Sequence, residues 1–228
     1  MLLPPLRILI TGFGPFPGAP VNPTQPLVAR LAGLRRPAFS EVERIAHIFP
    51  VSYSAVDREL PQLLARHRPD ALLMFGLASR TPFLRIETRA RNAITMLWPD
   101  AEHTRVRQAS IVRGADAQSF GPHTAKLLRA ALATGIDARL SRDAGRYLCN
   151  YLSWRGIEAA ADGPLAAFVH VPLLARDTTS RKVTLEQLVD AGEAILMETV
   201  RLARARRREA SISTREGRTD LSPSLRGA

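Results

Sequence analysis

The sequence is short of cysteine, of aromatic residues and of long apolar segments. Cys149 is the only cysteine among 228 residues, so no disulfide can form within the chain, as is usual in the reducing cytoplasm. Aromatic residues make up 6% of the chain, too few for the mixed basic and aromatic surface that binds single-stranded nucleic acid. No run of about 18 apolar residues occurs, and the first residues lack the basic segment of a signal peptide. We therefore expect a cytoplasmic protein with no membrane partner.

Positive charge is the most uneven feature of the composition. The formal net charge is +11, which makes nucleic acid a partner to consider. More than a third of this charge falls between Arg204 and Ala228, and the rest is spread along the chain as single arginines. This distribution argues against nucleic acid as a partner. Residues 209–228 are rich in Ser, Thr, Arg and Gly and poor in apolar side chains, which predicts a disordered basic tail.

The residues before the tail alternate between apolar strands and amphipathic helices. The apolar runs over 7–13 and 71–77 are typical of buried parallel strands. With 46% hydrophobic residues, the chain can bury a sizeable core. We predict an α/β fold, a single three-layer α/β/α sandwich with a largely parallel, twisted central sheet, in one domain over 1–208. Among the less regular segments, we predict a strand over 83–92 and an extended arm or hairpin over 104–114. A polar loop is predicted over 172–182 and a last helix over 184–207.

Two reactive side chains lie at the ends of neighbouring elements of this predicted fold. Cys149 lies after a turn that contains Gly145, at the N-terminus of a helix predicted over 147–161, where backbone N–H groups and the helix dipole favour a thiolate. His170 is the one polar residue in the apolar strand over 167–172. A lone cysteine or histidine is more often a packed core residue than a catalyst. Their joint placement indicates a nucleophile and its base.

Two further features leave alternatives open. Glu87 lies in the strand predicted over 83–92, on the face that also carries Arg85. By itself it is more simply explained as an exposed carboxylate that balances neighbouring arginines. A proline-rich loop follows the first strand, where open α/β sheets bind ligands. Its two aromatic residues, Phe13 and Phe16, would either pack the loop onto the core or line an apolar pocket.

Several short segments form a recognisable set: Thr11-Gly12-Phe13, Pro15-Phe16, Val21-Asn22-Pro23, Asp143-Ala144-Gly145, Tyr147-Leu148-Cys149-Asn150 and Phe168-Val169-His170-Val171-Pro172. With them, the chain resembles the pyroglutamyl peptidase I family of cysteine peptidases over about Leu9 to Ala203. The resemblance implies that Cys149 is the nucleophile, His170 its base and Glu87 the third member of a triad. It also implies a pocket for the pyrrolidone ring, formed by Phe13, Phe16, Asn22, Leu77 and Leu148.

The same resemblance implies a reaction. The protein would be a hydrolase that removes N-terminal pyroglutamyl (5-oxoproline) residues from peptides through a thioester, without a cofactor or a metal ion. Members of the family often form tetramers, so a homo-oligomer is expected. The sequence departs from the family pattern around Glu87, with Leu77 and Arg85 among the changes. These departures motivate an alternative, a catalytically weak or altered-specificity relative that binds a capped peptide terminus or another lactam.

Overall fold

The computed structural model describes residues 4–16, 19–114, 116–161, 163–175 and 183–219, the last seven of these by their backbone alone. Strands and helices alternate along the described residues. The strands are β1 (Leu6–Phe13), β2 (Val42–Phe49), β3 (Ala71–Leu77), β4 (Leu84–Glu87), β5 (Arg89–Arg91), β6 (Ala117–Ser119), β7 (Ala138–Ser141) and β8 (Leu165–Val171). The α-helices are α1 (Thr24–Gly33), α2 (Tyr53–His67), α3 (Thr124–Leu132), α4 (Leu148–Ala160) and α5 (Leu185–Thr219).

Six strands form the central sheet, in the order β2-β1-β3-β8-β4-β7. The first four of these run parallel to one another, whereas β4 is antiparallel to β8 and parallel to β7. Helices α1, α3 and α5 pack on one face of the sheet, and α2 and α4 pack on the other. This mostly parallel sheet between two helical layers confirms the predicted α/β sandwich.

Alternation along the strands decides which side chains reach the layer of α2 and α4. Successive side chains of a strand point to opposite faces of a sheet. Leu73 packs with α1, α3 and α5, whereas Met74 and Phe168 pack with α2 and α4. His170 follows Phe168 by two residues and so shares its face, and Arg85 is its partner across the β4–β8 pair. The sheet thus presents polar groups on the face that α4 covers.

The strand predicted over 83–92 is interrupted at Thr88. β4 ends at Glu87, and β5 pairs with β6 in a separate two-stranded sheet. The backbone N–H of Thr88 donates to the Ser141 carbonyl at 2.7 Å, while the Thr88 carbonyl accepts from the Phe120 N–H at 3.0 Å. Thr88 therefore bonds to the end of the central sheet and to the end of the small sheet. The arm predicted over 104–114 contains no strand in the structure, and β6 begins just after it.

The last helix is longer than predicted. It continues to Thr219 rather than ending near Arg207, so the first part of the predicted disordered tail is helical. Arg207 links this helix to the residues just before β3 and β1, because its guanidinium lies 2.6 Å from both the Asp70 carboxylate and the Pro4 carbonyl.

No helix in the described part of the chain is both long and apolar enough to cross a membrane. Residues 220–228 of the tail and 176–182 of the predicted polar loop lie outside the described residues, and the domain boundary at 208 stays a prediction.

Asn150 ties α4 to β5, and we expect its replacement to destabilise the fold. Its buried amide donates to the carbonyls of Arg91 and Ala93 at 2.8 Å and accepts from the Arg91 N–H at 2.9 Å. Asn150→Ala is expected to lower the free energy of unfolding by about 3 kcal/mol, because it leaves three backbone groups without this partner. Urea unfolding measures the change. The exposed helical Gln25→Ala should stay within about 0.5 kcal/mol of wild type, and a similarly small loss for Asn150→Ala would contradict the prediction.

Candidate active site

A cavity of about 820 Å³ opens where β1, β3 and β8 end. Its walls come from the loop after β1, the end of β3, the start of α4 and the end of β8. The lining includes every side chain that the sequence analysis assigned to the pocket, together with the proposed nucleophile and base: Phe13, Phe16, Asn22, Leu77, Leu148, Cys149 and His170. Glu87 is not among the lining residues; it contacts His170 from within the protein. One cavity therefore gathers residues that lie far apart in the sequence.

Cys149 is the second residue of α4, and its sulfur faces the end of β3. A Cβ atom at Gly76 would lie 2.7 Å from Cys149 Sγ and 2.7 Å from the ring of Phe168. At such distances the sulfur and the fully buried ring of Phe168 would both have to shift. Glycine at position 76 is therefore what allows β3, α4 and β8 to meet at the thiol.

The surroundings of Cys149 oppose the thiolate expected from its helix. Burial, together with the charge of Glu87, raises the pKa of the thiol to about 12. The charge of Arg85 and hydrogen bonds from the backbone N–H groups of Leu77 and of Cys149 itself act in the opposite direction and lower that pKa. Burial is the largest of these influences, because a charged sulfur is less stable where water is excluded.

His170 and Glu87 form a buried pair. His170 Nδ1 lies 2.7 Å from Glu87 Oε1, and the exposed fractions of the two residues are 2% and 0%. A carboxylate only accepts hydrogen bonds, so Nδ1 is the donor, and Nε2 is then the basic nitrogen of the neutral ring. Burial lowers the pKa of His170, whereas its hydrogen bond to Glu87 raises it. The simpler explanation of Glu87 as an exposed carboxylate is wrong.

Arg85 also belongs to this group, although the sequence analysis assigned it no role. Its Nη2 lies 3.1 Å from His170 Nδ1, and its Nε lies 3.3 Å from Glu87 Oε1. The side chain is 21% exposed and lines the cavity. The spacing of two residues between Arg85 and Glu87 already predicted that both lie on one face of a strand, but it did not indicate a contact of Arg85 with His170.

The loop after β1 is held in shape by Asn22. The Asn22 amide donates to the Gly14 carbonyl at 3.0 Å, and its oxygen accepts from the Thr24 N–H at 3.2 Å and from the Thr24 hydroxyl at 2.9 Å. Both polar ends of the buried Asn22 side chain are thus bonded to the loop itself. Phe13 and Phe16 thereby lie along the cavity wall, and both also pack against the buried cluster that includes Phe49.

The opposite rim of the cavity is a loop that α2 and α4 hold in place. The Tyr147 hydroxyl donates to the Pro99 carbonyl at 2.8 Å, and Asp100 accepts from the backbone N–H of Tyr53 at 3.1 Å. Trp98 projects from this loop with 60% of its surface exposed, and it lines the cavity. Within the described residues, no three His, Cys, Asp or Glu side chains are grouped so that they could hold a metal ion.

A thiol and an imidazole thus line one cavity at the strand ends of an α/β sandwich, and a carboxylate is hydrogen-bonded to the imidazole. Together the fold and the site define a hydrolase of the cysteine peptidase class. The model of the pyroglutamyl peptidase family matches residues 6–197, so the chain belongs to that family. The membership implied by the sequence resemblance is confirmed.

Known proteins similar to this chain carry the corresponding name. The pyrrolidone-carboxylate peptidase of Thermococcus onnurineus is 31% identical over 203 residues, covering 86% of this chain and all of the relative. That of Vibrio vulnificus is 33% identical over 199 residues, or 84% and 91% of the two chains. A variant pyrrolidone carboxyl peptidase from Pyrococcus furiosus superposes with a TM-score of 0.77 at 26% identity, covering 86% and 99%. The Fervidobacterium islandicum enzyme gives 0.74 at 28% identity, covering 84% and 97%.

Proposed function

We propose that the protein is a pyroglutamyl peptidase, which removes N-terminal 5-oxoproline residues from peptides. One observation carries the proposal. Cys149 and His170 line the same cavity as Phe13 and Phe16, and Glu87 is hydrogen-bonded to the histidine at 2.7 Å. A nucleophile, a base and an apolar slot are therefore available to a single bound substrate.

The cavity suits a cyclised N-terminus. A pyroglutamyl residue has no charged amine, so its site needs a flat apolar slot rather than a carboxylate. Phe13 and Phe16 would enclose the ring, with Leu148 and the backbone near Leu77 completing the slot. The lactam N–H and C=O need backbone partners there, because each buried without one would cost about 1–3 kcal/mol. Asn22 contributes by fixing the loop before the substrate arrives, which lowers the entropy lost on binding.

The three polar side chains would then share the reaction. As the Cys149 sulfur attacks the pyroglutamyl carbonyl, His170 Nε2 would take the thiol proton. The tetrahedral intermediate would be stabilised by backbone N–H groups at the start of α4. His170 next protonates the departing amine, which leaves a thioester that water hydrolyses. Glu87 stabilises the imidazolium and holds the Nδ1 proton. This sequence of steps uses neither a metal ion nor a cofactor.

The setting of the enzyme is part of the same proposal. A reactive thiol that is the only cysteine of the chain fits the reducing cytoplasm. The partner proposed is a peptide with an N-terminal pyroglutamate. A homo-oligomer, a tetramer on the family resemblance, remains a prediction for a measurement of molecular mass in solution.

The direct test is release of a fluorescent amine from a pyroglutamyl amide in reducing buffer, compared with the prolyl and glutaminyl amides. We expect saturable turnover of the pyroglutamyl amide, with kcat/KM at least about 100-fold above the other two, because a charged amine is not compensated in an apolar slot. No turnover by folded protein that still binds a pyroglutamyl peptide would support the alternative, a relative that binds capped termini. Neither binding nor turnover would refute both.

A further inference from the structure

Arg85 contacts the acid–base pair in a way that the proposed mechanism does not use. Its guanidinium lies 3.1 Å from the Nδ1 atom of His170, and the ion pair with Glu87 at 3.3 Å holds it there. Nδ1 donates its proton to the nearer Glu87 oxygen at 2.7 Å, so Arg85, which can only donate, forms no hydrogen bond with that nitrogen. The interaction between Arg85 and the His170 ring is therefore electrostatic.

This effect has a definite sign. A guanidinium is charged at every pH at which the protein is folded. It tolerates a neutral imidazole at this distance but repels an imidazolium. Arg85 is 21% exposed, so solvent screens part of the repulsion, whereas His170 lies in a buried site where screening is weak.

We propose that Arg85 is a positioning residue that keeps His170 uncharged in the acidic range and so extends the proposed peptidase reaction to lower pH. The consequence for turnover rests on the proposed function. The charge state of His170 does not depend on the proposed function, and it can be measured even in a protein without peptidase activity.

The charged and titratable groups around His170 allow this assignment. Glu87 and Asp143 favour the charged ring, and both raise the pKa of His170. Burial, the largest influence, lowers that pKa, and so does the charge of Arg85. Cys149 of α4 faces the same cavity; burial and the charge of Glu87 raise the pKa of its thiol, whereas the charge of Arg85 lowers it. Asp143 is partly neutralised by Arg91 at 2.7 Å, which leaves Arg85 to oppose Glu87 at the ring.

Nitrogen-15 NMR of histidine-labelled full-length protein tests the proposal. The ring shifts report protonation and tautomer directly, and the His170 signals are those missing from His170→Gln. In Arg85→Ser we expect the imidazolium to form at higher pH than in wild type, because a repelling charge is gone. Arg85→Lys keeps the charge and should stay close to wild type. Arg80→Ser removes another arginine that lines the cavity, exposed at its rim, and is the matched control.

Activity provides the second readout. The reference pH is the acidic midpoint of the wild-type pH–rate profile, where kcat/KM is half its plateau value. At that pH, kcat/KM of Arg85→Ser, as a fraction of the plateau of the variant, should be about fivefold to tenfold below the wild-type fraction. An unchanged His170 titration in Arg85→Ser, or an equal change in Arg80→Ser, would overturn the proposal. If no variant has activity but the titration shifts as expected, the inference about Arg85 holds and the proposed function fails.

Discussion

Cys149→Ser is expected to lower kcat/KM for a pyroglutamyl amide by at least about 10⁴-fold, with little change in the free energy of unfolding. A serine hydroxyl is a far weaker nucleophile than a thiol, and His170 would have to take its proton at much greater cost. Cys149 keeps part of its surface open to the cavity, so the smaller oxygen creates no large void. Steady-state kinetics and urea unfolding of the purified variant measure the two quantities.

Two controls make this result specific. Cys149→Ala should still bind a pyroglutamyl peptide, because the walls of the slot are unchanged, so loss of turnover in the serine variant would reflect chemistry rather than collapse of the pocket. Alkylation of the wild type with iodoacetamide should add one group per chain, since the chain has one cysteine, and should stop turnover. More than a tenth of wild-type activity in Cys149→Ser would remove Cys149 as the nucleophile.

Glu87→Gln is expected to lower kcat/KM by about 10²- to 10⁴-fold, and it is the second largest effect we predict. The amide keeps the size of the buried carboxylate but not its charge, so the imidazolium that forms during proton transfer is no longer stabilised. Glu87 raises the pKa of His170. Its replacement should therefore lower that pKa and move the acidic limb of the pH–rate profile to lower pH, while the plateau falls.

The chain offers a matched control in a second histidine–carboxylate pair. His47 Nε2 lies 3.0 Å from Glu59 Oε2, on the partly exposed surface of β2 and α2 and away from the lining of the cavity. Glu59→Gln makes the same chemical change and should leave kcat/KM and its pH profile within about twofold of wild type. A loss for Glu87→Gln no larger than that for Glu59→Gln would mean that the buried carboxylate has no part in the reaction.

The alternation of strands and helices was predictable because it depends on local patterns. The continuous apolar run over 71–77 was predicted with the bounds that the structure has. The predicted strand bounds were wrong where a hydrogen bond to a residue distant in the sequence determines the backbone conformation. The break at Thr88 depends on Ser141 and Phe120, which lie far along the chain and carry no signal in the neighbouring residues.

The sequence by itself determined the α/β architecture, the family, and the positions of Cys149 at a helix N-terminus and of His170 near the end of a buried strand. The tertiary structure decided the states of these side chains. Burial of Glu87, the contact of Arg85 with His170 and the raised pKa of the thiol all depend on which strands and helices pack together. Charge interactions in a protein depend on distance and on exclusion of water, and neither quantity is encoded in the spacing of residues along a chain.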